Sequence, residues 1–469
     1  MPSAAIQTLG CKLNQLESES IAEAFGRAGF SVEAGPPADL LVINTCSVTS
    51  KSEQKARRLI RKALKDHPES CVIVTGCYAQ LEAAAIATLE EPDSGLRRLF
   101  VLSGDRKAFL LDLPRLLRPG VEGPEPAARD RALSLDLSRL LGPETAPGVL
   151  SAGEGLDPFR FKARDFSFHS RPFLKIQDGC DHACSYCRVS LARGPNRSLD
   201  AETLLARLRE LEAAGHGEAV LTGVNLNQYR SAGLDLGGVL DYLLAHTRTI
   251  ALRLSSLEPA GVEESLLRVL SSPRIRPHFH LSIQSGSAHI LERMRRPYTP
   301  AAVAAFIRRL RELREDPFLA CDIIAGFPGE TPAEFAETYE FCRNARFAWI
   351  HAFPFSRRPG TEAWDFPDNV PEREAAGRVD SLLDLARQGK AAYVNAWAGK
   401  TVEAIVEAGN KVDFLTALSE NYLKLRLPLP PGRQPPPQGT VIGCRILGAP
   451  EPAAPLFDAA AELDPAPHP

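Results

Sequence analysis

Residues 178–190 read Asp-Gly-Cys-Asp-His-Ala-Cys-Ser-Tyr-Cys-Arg-Val-Ser, and Cys180, Cys184 and Cys187 stand in this run with three residues and then two between them. Spacings this short gather three thiolates around one point, so the run reads as a metal or cluster loop. A structural zinc site usually takes four ligands in two pairs, and no second Cys or His pair lies nearby in the sequence. Three thiolates without a close fourth suit a four-iron cluster that leaves one iron open to a non-protein ligand. The competing reading is a chance trio of buried cysteines. Against it stand Gly179 and the polar Asp178 and Ser185 in the loop, and the strand-like residues 172–177 that lead into it.

C-x3-C-x2-C at the end of a strand resembles the signature of radical S-adenosylmethionine enzymes. The resemblance implies that the open iron is chelated by the amino and carboxylate groups of S-adenosylmethionine, and that one electron cleaves the sulfonium to a 5′-deoxyadenosyl radical. The protein's share of such chemistry is positioning, electronic tuning and exclusion of side reactions. Tyr186 matches the family's aromatic position beside the adenine; packing within the loop is its other reading.

A chain of 469 residues is expected to form two or three domains. With 44% hydrophobic and 24% charged residues it fits a globular protein with a sizeable core. It has no long apolar run and no amino-terminal charged-then-apolar segment, so a cytoplasmic protein without a membrane span is expected. In a reducing compartment its 10 cysteines serve as ligands or small buried hydrophobes rather than in disulfides. The net charge of −3 requires any nucleic-acid partner to be held by local basic patches.

The fold expected is α/β throughout. Residues 1–110 show apolar runs at 5–9, 40–44 and 71–75 separated by helical patterns, which argues for a parallel sheet. Cys11, Cys46 and Cys77 stand at the ends of these runs. Parallel strands present their carboxyl ends on one edge, where α/β folds place ligands, so the three cysteines can converge there. Cys71 opens its run and reads as core. Residues 8–15, 44–46 and 75–80 closely resemble the amino-terminal domain of the methylthiotransferases. This resemblance implies a second [4Fe-4S] cluster on Cys11, Cys46 and Cys77 that carries the sulfur to be inserted. The helical stretch 51–65 is strongly basic, and Arg57, Arg58 and Arg61 on it are candidates for RNA phosphates. A solvated charged face is the alternative.

Residues 111–165, rich in Pro, Gly, Leu and Ala, read as a linker or insertion with one short helix near 129–141. In residues 166–370 the alternation resumes. Strands at 172–177, 218–225, 250–256, 278–285, 318–326 and 347–353, with helices between them, suggest a partial (β/α)6 radical S-adenosylmethionine barrel with its site at the carboxyl ends of the strands. Gly223, Asn225, Ser256, Glu258, Gln284 and Gly326 occupy those ends and are candidates for the cofactor's methionine or ribose. Each is equally a turn or cap residue. Arg193 and Arg197, just past the cysteine loop, are candidates for substrate phosphate. Cys321, Cys342 and Cys444 read as core. No general acid or base is assignable.

A connecting helix at 371–395 leads to residues 396–449, whose alternating runs imply a small β-barrel. Its position resembles the TRAM module, an RNA-binding barrel, with Lys424 and Arg426 as candidate contacts. Residues 450–469 are expected to be disordered.

The family resemblance covers nearly the whole chain outside the linker and tail. It implies two [4Fe-4S] clusters, S-adenosylmethionine, a tRNA substrate, an electron donor and a sulfur source. Residues 175–187 and 8–15 are most similar to the branch that methylthiolates carbon 2 of threonylcarbamoyladenosine next to the anticodon. A branch acting on isopentenyladenosine and one acting on a ribosomal-protein aspartate would share all six cysteines. Arg188-Val-Ser190 departs from the apolar-apolar-Pro usual after the third cysteine. A non-catalytic metal-cluster protein that binds RNA is the rival from another class. Oligomeric state is not legible.

Overall fold

Two of the apolar runs are long enough and apolar enough on both faces to be central strands of a parallel sheet. They become β3 (Leu40–Thr45) and β4 (Cys71–Gly76), every residue of which is buried. The computed structural model describes the whole chain except residues 1, 34, 91–96, 118–125, 142–155, 164–165, 167–168, 261, 409–412, 430–433, 450–456 and 465–469. The chain divides into two units: Met1–Asp165 with Asp178–His182 and Cys187–Asn196, and Phe166–Gln177 with Ala183–Tyr186 and Arg197–Pro469.

In the first unit, β1 (Ser3–Thr8), β2 (Ser31–Glu33) and β5 (Leu99–Val101) join β3 and β4 in a five-stranded sheet ordered β2-β1-β3-β4-β5, parallel at every pairing. The connections are helices Lys12–Arg27 and Ser50–Asp66. The second is capped by Thr49, whose side chain accepts from Ser52 N–H, and lays Ala56, Ile60, Ala63 and Leu64 against Leu41, Ile43, Val72 and Val74. Its cations stand on the opposite face, as amphipathic spacing requires.

The described part of 111–165 is more than a linker. Helix Pro126–Leu141 buries Leu133 and Leu137, one turn apart, and Ser134 Oγ donates to Arg97 O at 2.6 Å. Phe159 and Phe161 are buried as well, and Arg160 donates to both carboxylate oxygens of Asp112 at 2.8 Å. Sparse apolar residues in a Pro- and Gly-rich text hid this packing.

The second unit contains all six expected strands: β6 (Phe173–Lys175), then, after the two-residue strands β7 (Gln177–Asp178) and β8 (Arg197–Ser198) that flank the cysteine loop, β9 (Glu218–Thr222), β10 (Ala251–Leu254), β11 (His278–Gln284), β12 (Phe318–Ala325) and β13 (Trp349–Pro354). They form two parallel three-stranded sheets, β10-β9-β6 and β11-β12-β13, linked by the bridges Leu252↔Ile275 and Leu257↔Leu281. Helix Glu372–Trp397 leads to a closed barrel of β14 (Thr401–Val406), β15 (Phe414–Ser419), β16 (Lys424–Pro428), β17 (Val441–Gly448) and β18 (Ala459–Leu463), in the order β14-β15-β16-β18-β17.

The strand β18 corrects the expectation of a disordered tail over 450–469. Its sequence, AAAEL, has no period-2 alternation to announce it. It becomes a strand because β16 and β17 each offer it a ladder, one parallel and one antiparallel. The remainder of that expectation lies outside the described residues. No helix among the described residues is long and apolar enough to cross a membrane.

A buried charge network joins the base of the central strands to this barrel. Glu218, 1% exposed, takes Arg253 Nε at 2.5 Å and Arg276 Nε at 3.0 Å, with Arg171 at 3.8 Å. Arg253 donates to Glu420 O at 3.0 Å and Arg276 to Glu403 Oε2 at 2.7 Å. The Tyr422 ring stacks on His278 with centroids 3.9 Å apart and lies under the Arg253 guanidinium. Burial works to raise the Glu218 pKa, yet the Arg253 and Arg276 charges hold it down at about 2.

A carboxylate with a folded-state pKa depressed in this way stabilises the fold above its unfolded pKa of about 4.3, and that stability disappears as pH falls toward 2. Glu218→Gln strands buried guanidinium groups and is expected to cost roughly 3–5 kcal/mol at neutral pH. Melting curves between pH 7 and 2 should show both the loss and a flatter acid limb in the variant.

Candidate functional site

The parallel sheet of the first unit brings Cys11, Cys46 and Cys77 to one edge, immediately after β1, β3 and β4. Gly10 makes the approach possible. At φ +106° it lies so close to Cys46 that an added Cβ would sit 2.5 Å from the Cys46 Cβ and 2.8 Å from its Sγ. Gly76, at φ +100°, passes Thr45 with equally little room. Asn14 clamps two of the strand ends, donating to Leu9 O at 2.8 Å and Thr45 O at 3.0 Å, and Thr45 Oγ1 donates to Thr75 O at 2.5 Å. Burial, then the neighbouring charges of Cys11 and Cys77, push the Cys46 thiol up to about 12. Such a thiol ionises when a cation takes the proton's place.

Arg193 is a correction to the sequence reading. Expected at an RNA-facing mouth, it is turned into the first unit with its side chain only 9% exposed, with Nη1 3.1 Å from Glu17 Oε1 and 3.1 Å from Asp178 Oδ1, and Nη2 2.9 Å from Asn14 Oδ1. Burial acts to lower its pKa, but Glu17 and Asp178 hold it well above the usual arginine value, with Cys77 and Cys11 adding to the effect. Lys107 Nζ completes the set at 2.5 Å from Glu17 Oε2. Arg188 is likewise internal, paired with Glu82 at 2.8 Å and Glu53 at 3.3 Å. This is why a charged residue replaces the apolar residue expected there. Arg197 is exposed.

Cys180 and Cys187 belong to the first unit and Cys184 to the second. Gly179, at φ +72°, passes so close to Pro195 O that a Cβ would lie 1.9 Å from it, and Cys180 N–H donates to Gly194 O at 3.1 Å. Val189 N–H donates to Cys187 Sγ at 3.4 Å. In the second unit Arg296 Nη1 donates to Cys184 Sγ at 3.1 Å, while its Nη2 pairs with Glu258 Oε1 at 2.6 Å. Asn225 Nδ2 donates to the other Glu258 oxygen at 2.8 Å, and Asn225 N–H to Gln177 Oε1 at 2.8 Å. One hydrogen-bonded chain thus runs from a loop sulfur to the ends of β9 and β10. Arg296 had no sequence signal: nothing in its spacing distinguishes it from Arg293 or Arg295.

The other strand-end candidates divide. Gly223 sits where a Cβ would press on Gln177 Oε1 at 2.7 Å, beside this chain. Tyr186 packs against Ile290, Met294 and Phe327 and contributes to the electrostatic environment of Arg296. Gln284 has φ +76° at a register shift in β11. Ser256 Oγ is 2.7 Å from His280 Nδ1, inside the half-barrel. Gly326 is structural: its N–H donates to Glu330 Oε2 at 2.6 Å, and a Cβ there would meet Ala375 at 2.6 Å.

Among the basic candidates, Arg57 donates to Tyr78 OH at 3.0 Å, and with Arg58, Arg61 and Gln54 it lines a recess of about 340 Å³. On the barrel, Arg426 lies 4.7 Å over Phe414 and Lys424 5.7 Å over Phe457. Cys71, Cys321, Cys342 and Cys444 are buried. Among the described residues no three His, Cys, Asp or Glu side chains close on a single ion. Thiolates that hold a multi-iron cluster stand farther apart than those about 2.3 Å from one zinc. Cys184 and Cys187 each have an N–H group aimed at the sulfur, the kind of environment a cluster thiolate takes.

A parallel half-barrel entered by a three-cysteine loop defines a radical S-adenosylmethionine domain, and residues 174–342 match the Radical SAM superfamily. Residues 3–95 match the Uncharacterized protein family UPF0004. The threonylcarbamoyladenosine tRNA methylthiotransferase MtaB of Treponema pallidum is 42% identical over 91% of this chain and 94% of its own length. That of Bacillus subtilis is 33% identical over 91% and 90%. The tRNA-2-methylthio-N(6)-dimethylallyladenosine synthase of Sorangium cellulosum is 32% identical over 88% and 83%. Among solved structures, the radical S-adenosylmethionine methyltransferase TsrM of Kitasatospora setae aligns with a TM-score of 0.48 and 16% identity, covering 77% of each chain. The chain belongs to the threonylcarbamoyladenosine tRNA methylthiotransferase family of radical S-adenosylmethionine enzymes. S-adenosylmethionine and a [4Fe-4S] cluster come with that membership.

Gly10→Ala combines an added Cβ against Cys46 with a backbone angle that side chains rarely adopt. It is expected to lower stability by about 1–3 kcal/mol. Chemical denaturation of the metal-free chain tests this without reference to any cluster.

Proposed function

We propose that the chain attaches a methylthio group to carbon 2 of N6-threonylcarbamoyladenosine in tRNA, next to the anticodon. The observation that carries this reading is the gathering of Cys11, Cys46 and Cys77 at neighbouring parallel strand ends, in a chain that also holds the Cys180–Cys184–Cys187 loop. In this reading the loop cysteines hold one [4Fe-4S] cluster and the strand-end cysteines a second. When bound, S-adenosylmethionine supplies a carbon radical and a methyl group, and the second cluster supplies sulfur.

The chain's own residues then have definite tasks. Arg296 keeps a fixed cation beside Cys184 and is itself neutralised by Glu258. Asn225 and Glu258, with Gly223, present polar groups and backbone at the cofactor's end of the half-barrel. Tyr186, Ser256 and Gln284 are further cofactor candidates at these strand ends, whereas Gly326 serves the fold. Asn14 and Arg193 hold the strand ends that carry Cys11 and Cys46 in register.

Arg57, Arg58 and Arg61, with Arg197, are the cations offered to RNA phosphates. Lys424 and Arg426, each beside a phenylalanine, offer charge and a stacking face. The target base must leave the stack to be reached, which an anticodon loop permits at modest cost. An electron donor and a sulfur source complete the partners, and a tRNA substrate places the reaction in the cytoplasm.

The test is nucleoside analysis of tRNA from cells lacking the gene, complemented with wild type, Cys46→Ala or Cys184→Ala. Only wild type is expected to restore the methylthio form of threonylcarbamoyladenosine, leaving the isopentenyl derivative untouched; restoration by either variant would overturn the reading. Purified anaerobically, the wild-type chain should carry about eight irons, and each triple Cys→Ala variant about four.

A further inference from the structure

Inside the half-barrel, one layer below the strand ends, three side chains have no task in the reading above. Asp322 on β12 lies opposite His351 on β13 in the strand register, and its Oδ1 is 3.1 Å from His280 Nε2 on β11. The His280 and His351 rings meet edge to face with centroids 5.3 Å apart. Ser256 Oγ lies 2.7 Å from His280 Nδ1, and the other ring nitrogen, Nε2, faces Asp322. That atom is buried and, despite its distance from Asp322, makes no aligned hydrogen bond among the described residues. The Trp349 indole N–H donates to His351 Nδ1 at 3.3 Å.

On β12 and β13 this layer is polar where its neighbours are largely apolar. Below it, Phe318, Ala320 and Trp349 pack into the core shared with the carboxyl-terminal barrel. Above it, Ile324 lies opposite Phe353. The layer also reaches solvent: β13 is the edge strand of its sheet, His351 is exposed, and Phe353, two residues along the same face, is 43% exposed. A carboxylate set between two imidazoles, with an open aromatic face beside it, offers an acceptor for N–H groups and ring nitrogens for further hydrogen bonds, and so complements a nucleobase whose substituent carries N–H groups and a carboxylate. It is a poor seat for an alkenyl substituent, which offers these polar atoms no hydrogen-bond partner.

We propose that His280, Asp322 and His351 form the recess that receives the anionic, N–H-bearing arm of the target adenosine, with Phe353 against the base. This set selects the threonylcarbamoyl substrate over an alkenylated or unmodified one. The inference rests on the proposed function and names its specificity residues. A site built to hydrogen-bond a group rejects analogues lacking it far more sharply than an apolar pocket does.

The experiment measures fluorescence anisotropy of labelled anticodon stem-loops bearing threonylcarbamoyladenosine, isopentenyladenosine or adenosine, with the reconstituted full-length protein. The wild type is expected to prefer the threonylcarbamoyl loop by about tenfold or more over either other loop. Asp322→Asn and the His280→Leu/His351→Phe double variant should bring that ratio to about twofold or less, with iron content and melting temperature checked alongside. A wild-type ratio near one, or a ratio unchanged in the variants, overturns the proposal. If the double variant does not fold, mass-mapped carbethoxylation of His351 in the wild type decides. Slowing by free threonylcarbamoyladenosine but not by adenosine supports the recess; equal rates overturn it. A wild type that binds selectively yet methylthiolates no tRNA would count against the proposed function and leave the recess standing.

Discussion

The arrangement of the first unit depends on a single buried guanidinium. Arg193 lies between the carboxylates of Glu17 and Asp178 and also holds the Asn14 amide, which in turn ties the carbonyls preceding two of the strand-end cysteines. Lys107 balances the second acidic charge at that point, so two cations face two anions, none of the four side chains more than 9% exposed. Removing any one of them leaves an uncompensated charge in a low-dielectric interior, which is far costlier than losing a surface pair. The cysteine edge is therefore framed before any iron arrives. Asp178, two residues ahead of Cys180, ties the start of the radical loop into the same frame.

A comparable logic operates in the second unit, on different residues. Glu218 secures the base of the central strands to the carboxyl-terminal barrel, and Glu258 secures the top, through Arg296, to a loop sulfur. Between these two layers lies the His280–Asp322–His351 layer, in which His280 Nε2 is 3.1 Å from Asp322 Oδ1 without an aligned hydrogen bond. Fully matched polar networks stiffen a core, while partly matched ones retain capacity for a ligand.

Much of this was legible in the residues. Strand–helix alternation fixed the parallel sheets because apolar runs and cysteines recur at equivalent places, and all six central strands fall where the runs predict. The strand-end position of Cys11, Cys46 and Cys77 followed from topology rather than from spacing. What escaped was decided by tertiary context. Arg193 looked like a solvent-facing cation because its partners Glu17 and Asp178 are remote in sequence. Arg296 stands among other arginines, and only the fold turns it toward Cys184. The strand β18 has no alternation of its own and is defined by the ladders offered to it.

That last strand also bears on how the protein is made. β14 to β17 emerge first, and until Ala459–Leu463 follows, β16 and β17 each display a row of backbone amides and carbonyls with nothing to bind. A barrel open at that seam would be competent to recruit a strand from another chain. Closure by a short, alanine-rich segment of the same chain ends that exposure, so the least conspicuous stretch of the barrel protects it from aggregation.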